Sequence, residues 1–106
     1  MTKFAITAVE LDRAGEVAGG KVHQIVGGNR DLPTLIEKFE ILDRIALVDV
    51  IGHGDQLYAL VERDGQRLPP HEVRILRAPD GNEYVESVQD DRVTDALARL
   101  PRLPQK

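Results

Sequence analysis

Apolar and polar positions alternate from the start of the chain. Lys3-Phe4-Ala5-Ile6-Thr7-Ala8-Val9-Glu10-Leu11 has a period of two and is rich in β-formers, which predicts an opening strand. Polar and small residues from Asp12 to Gly20 break the pattern. Lys21 to Val26 resumes it as a second strand, stopped by Gly27-Gly28-Asn29, where glycine admits the positive φ of a tight turn. Asp31 then offers an N-cap carboxylate, and Pro33 stands in the first turn, where a helix needs no donor. From Leu32 onward, Leu35, Ile36, Phe39 and Leu42 recur at spacings of three and four, which predicts a helix through residue 42. Only Ile41 falls off that stripe.

The run Ile45-Ala46-Leu47-Val48-Asp49-Val50-Ile51 is continuous and β-branched, which predicts a central strand turned by Gly52-His53-Gly54-Asp55. Gln56 to Arg63 reads as its antiparallel partner, ending at the turn dipeptide Asp64-Gly65. Pro69-Pro70 interrupts pairing. Val73, Ile75 and Leu76 form a further strand, Asp80-Gly81-Asn82 turns the chain, and Glu83 to Val88 returns along it. Asp90 or Asp91 caps a closing helix built on Val93, Ala96, Leu97 and Leu100, which Pro101 and Pro104 stop.

The order is therefore ββαββββα and the class α+β. A mostly antiparallel sheet of about five to six strands is expected, with one helix packed on a face and a short C-terminal helix. With 106 residues, 42% of them apolar, the chain holds one core: a single domain over 1–100 and a flexible tail over 101–106. Absence of cysteine excludes disulfides, thiol nucleophiles and thiolate metal sites, and fits a reducing cytoplasm. No apolar run nears the ~20 residues of a membrane span, and the N-terminus lacks the order of a secretion signal. A cytoplasmic protein without a membrane partner is expected.

Fourteen basic and 18 acidic side chains give a net charge of -4, with signs mixed as in Glu10-Leu11-Asp12-Arg13. Such mixing marks solvated faces and argues against a phosphate-backbone binder. Phe4, Phe39, Tyr58 and Tyr84 are the only large rings, too few for both a core and a base-stacking platform. Arg67, Arg74, Arg77, Arg92, Arg99 and Arg102 nevertheless concentrate arginine near the C-terminus, and arginine suits phosphate. A nucleic-acid accessory role is thus the alternative reading. It needs those arginines in one patch not neutralised by Glu72, Asp80, Asp90, Asp91 and Asp95.

His23, His53 and His71 are unclustered and lack metal-pair spacing, so turn or surface roles are expected. His53, between two glycines and two residues before Asp55, is the one that draws most interest. Gly27-Gly28-Asn29-Arg30-Asp31 invites an anion site but matches no phosphate-loop motif, and Asp31 would repel an anion. Ser87 sits in an expected strand without a nucleophile elbow. Asp49 interrupts an apolar run; a nearby arginine is its plain explanation, and a cleft joining it to a histidine would be needed for catalysis. No catalytic, cofactor-binding or metal residue is assigned. Arg30, His53, Arg74, Arg77 and Arg92 are the candidate anion or partner contacts.

The ending Glu83-Tyr84-Val85-Glu86-Ser87, Asp90-Asp91 and Thr94-Asp95-Ala96-Leu97-Ala98-Arg99-Leu100-Pro101, with Ile6-Thr7-Ala8-Val9 and Val22-His23-Gln24-Ile25-Val26-Gly27-Gly28 before it, resembles the bacterial domain of unknown function 3892 family. Ala96-Leu97-Ala98 and Ser87 depart from the family pattern, which has Asn-Leu-Leu and Thr there. The resemblance implies a small free-standing bacterial domain and brings no activity with it. Because the apolar strand residues exceed what two short helices can cover, the expected function is a non-enzymatic interaction domain that self-associates as a homodimer or binds another protein.

Overall fold

A computed structural model describes residues 2–29 and 33–103. Arg30, Asp31 and Leu32, and with them the expected anion contact and helix cap, lie outside the described residues, as does the side chain of Arg67. The fold is α+β, and its main sheet is mixed but mostly antiparallel.

The alternating opening forms β1, Lys3–Leu11, which turns at Asp12 into β2, Val17–Gly28. Asp12 builds that turn, its Oδ1 accepting from the amides of Ala14 and Glu16. The next two elements exchange the expected types. Residues expected to be helical form β3, Pro33–Asp43, and the β-branched run expected to be a strand forms α1, Arg44–Gly52. The 12-residue β2 offers a long ladder to β3, so tertiary pairing overrides the helical spacing. Asp43 supplies the cap that Asp31 was expected to give: its Oδ1 accepts from the Ala46 amide at 2.9 Å. At the other end the Gly54 amide bonds Ile51 O and the Asp55 amide bonds Val50 O, with Gly54 at φ +92°. That is a Schellman stop, not a hairpin turn.

β4, Gln56–Ala59, then pairs parallel to β1, made possible by the crossover through β2, β3 and α1. β5, Glu62–Arg63, and β6, Gln66–Arg67, form a separate small ribbon around Asp64-Gly65, both at positive φ as a type I′ turn requires. β7, His71–Arg77, and β8, Glu83–Gln89, form the expected second hairpin. Asp90 and Asp91 cap no helix. At φ 53° and 62° they turn the chain into β9, Arg92–Thr94, before the short α2, Ala96–Arg99. The main sheet has seven strands, in the order β3-β2-β1-β4-β7-β8-β9, more than expected.

Pairing register assigns the two faces. Ile6, Val22, Leu57, Ala59, Val73, Val85 and Ser87 point to one side, where Leu47 of α1 and Leu97 of α2 join them in the core. A row of partners crosses the other face: Phe39, His23, Ala5, Tyr58, Glu72, Val88 and Val93. Of the segment expected to trail loosely, Pro101 to Leu103 is held beside β1. Val9 donates to Pro101 O, and Leu103 donates to Val9 O, both at 2.9 Å. Among the described residues no helix is long and apolar enough to cross a membrane.

Candidate functional site

Helical period explains Asp49, which the strand reading could not place. Leu47 is buried in the core, with Val48 and Ile51 packed against it. Ala46, Asp49, Val50 and His53, at i, i+3, i+4 and i+7, share another face. That face forms one wall of a cleft of about 550 Å³ whose opposite wall is Phe4 and Val22 with Ile36, Lys38, Glu40 and Leu42 of β3. The floor is apolar, and Lys38, Glu40, Asp49 and Asp55 place charge around it.

The cleft brings Asp49 and His53 together, yet the His53 ring bonds the main chain of Asp49, Nδ1 to O at 2.7 Å, rather than its carboxylate. The other histidines are tied down as well. His23 Nδ1 bonds Ile36 O at 2.8 Å, filling a bulge where residues 36–38 of β3 stand opposite Gln24 alone. His71 Nδ1 donates to Thr94 Oγ1 at 2.9 Å, because the Thr94 hydroxyl proton goes to Ser87 Oγ. Ser87, fully buried, gives its own proton to Thr94 O and accepts from the Leu97 amide. This relay closes the start of α2, whose cap residue Asp95 makes no side-chain capping bond to a helix amide. A hydroxyl spent on a backbone carbonyl inside the core is a structural group.

The candidate contacts are not brought together. Arg74 lies in a groove on the opposite sheet face with Lys3, Tyr58, Glu72 and Asp91, where its guanidinium reaches Glu72 at 3.4 Å and Asp91 at 3.1 Å. The hydrogen bond to Glu72 and then that to Asp91 push its pKa upward. Arg77 pairs with Glu83 at 3.5 Å, and Arg99 with Asp95 at 2.8 Å. Arg102 is turned onto the carbonyls of Ala98 and Leu100. Arg92 is exposed on β9. The described arginines thus fall at separate places, most of them facing a carboxylate or a carbonyl.

Two features left no strong trace in the sequence. Arg44 joins three elements: Nε donates to Val17 O at 2.8 Å, Nη2 pairs with Asp12 at 2.6 Å, and the guanidinium lies 5.3 Å from the Tyr84 ring centre. This pairing holds the Asp12 carboxyl below its usual range. Nearby, burial and the charge of Glu16 raise the pKa of Glu86.

The second feature is the end of the sheet. β3 pairs only with β2 among the described residues, leaving a long outer edge. Among the described residues six large apolar side chains are exposed: Val26, Phe39, Ile41, Ile45, Leu76 and Val93. Three of them, Phe39 at 48%, Ile41 at 57% and Ile45 at 74%, lie within one seven-residue stretch joining β3 to α1. Compared with family models, curated proteins and solved structures, the chain gave no match.

Proposed function

We propose that this protein is a non-enzymatic interaction domain that associates with a second copy of itself through β3 and the first turn of α1. The observation that carries the reading is the exposure of Phe39 and Ile41 on a strand whose outer edge pairs with no described strand, with Ile45 exposed just past its end. An unpaired edge offers a row of backbone donors and acceptors to another strand, and exposed apolar side chains beside it gain by leaving water. Each fully buried residue of this size contributes about 1.5–3 kcal/mol.

The separated, mostly matched arginines support this reading over the nucleic-acid alternative, which asks for one uncompensated basic patch. Histidines bonded to backbone and hydroxyl acceptors support it over catalysis at the cleft. Absence of cysteine fits a reducing compartment.

Ile41→Lys tests the assignment, because a lysine on a sheet edge opposes strand addition. Gel filtration should show the native chain as a dimer and the variant, equally folded by circular dichroism, as a monomer. A variant that keeps the native elution volume would remove β3 from the interface.

A further inference from the structure

About Phe39 the outer strand carries opposite charges on its two neighbours and an apolar residue three places away on each side. Lys38 and Glu40 flank it at one residue, and Ile36 and Leu42 at three. In an antiparallel pair of identical strands related by a two-fold axis, facing residues have numbers with a constant sum. Because the axis keeps each side chain on its own face, that sum must be even. A few registers therefore compete, and charge ranks them.

Centring on Lys38 sets lysine against lysine. Centring on Glu40 sets glutamate against glutamate and Glu37 against Asp43. Centring on Phe39 instead sets Lys38 of each copy against Glu40 of the other, Ile36 against Leu42, and ring against ring. Opposite charges facing across strands are favourable and like charges unfavourable. Two mixed pairs remain, Leu35 against Asp43 and Ile41 against Glu37, and in each the apolar side chain lies beside the stem of an acidic one.

Resting on the self-association proposed above, we propose that two copies join antiparallel along β3 with Phe39 on the two-fold axis. The two seven-stranded sheets then become one. Lys38, Glu40, Ile36 and Leu42 all line the cleft beneath α1. The pairing therefore makes the two clefts neighbours across the axis, each receiving charge from the other copy. The bulge at residues 36–38 leaves the straight part of the edge toward Asp43, so the competing register without like-charge contacts is the one centred on Ile41.

Two measurements on the full chain separate these. The chain has no native cysteine, so single substitutions report cleanly. Under mild oxidation Phe39→Cys should give a disulfide-linked dimer and Ile41→Cys should not; the reverse outcome would establish the Ile41 register and overturn this one. Second, Lys38→Glu and Glu40→Lys should each weaken dimerisation about tenfold, while the double exchange restores it. A double variant as weak as the singles also overturns the register. A native chain that is dimeric but fails both tests keeps the self-association and loses this geometry, whereas a monomeric native chain removes both.

Discussion

At the scale of single residues, the fold leans on positions where one atom decides the outcome. Gly20 in β2 is one: a Cβ there would collide with the Ile6 side chain in the core, and at Gly19 it would meet Leu42 O at 2.9 Å. Gly20→Ala is therefore expected to destabilise by about 1–3 kcal/mol, read by urea denaturation, although alanine forms strands no worse than glycine. Glu86 acts through charge. Burial and then Glu16 raise its pKa in the folded state from an ordinary 4.5. A carboxyl raised on folding favours the native state below its unfolded pKa and loses that contribution as pH rises through the folded value. Glu86→Gln should accordingly raise the melting temperature at pH 7, with the gain shrinking toward zero as pH falls to about 4.5. An equal gain at both pH values would show that packing, not charge, separates the two side chains.

At the scale of elements, the sequence read in two ways over residues 33–51. Leu35, Ile36, Phe39 and Leu42 satisfy helical spacing, but Leu35, Phe39 and Ile41 also satisfy alternation, and only a waiting partner strand decides between them. The run from Ile45 to Ile51 looked like a strand because β-branched residues fill it. Its caps were the better guide: Asp43 three residues before Ala46, and Gly54 past the end. Hairpin turns at Asp64-Gly65 and Asp80-Gly81 were legible because their chemistry is local. The cleft was not, since it exists only once α1 lies across the sheet, and the parallel β1–β4 pair depends on the same crossover. Asp43→Ala should destabilise by about 1 kcal/mol while Asp43→Asn is nearly neutral, compared by thermal unfolding. Equal losses would show that the carboxylate charge, rather than the cap bond, holds α1.

For the whole molecule, both helices lie on one face of seven strands, and the first strand at one end keeps its outer edge and its apolar side chains exposed. Arg44, where β3 passes into α1, draws Asp12, Val17 and Tyr84 together, so α1 is held by contacts made within one subunit. Self-association should thus leave the subunit fold unchanged, and far-ultraviolet circular dichroism should not vary with concentration. Light scattering of the native chain at neutral pH, taken through serial dilution, tests the central claim most directly. Association through β3 requires a mass of twice 11.8 kDa that falls to one subunit only on dilution. A mass of 11.8 kDa at every concentration up to the millimolar range would contradict it.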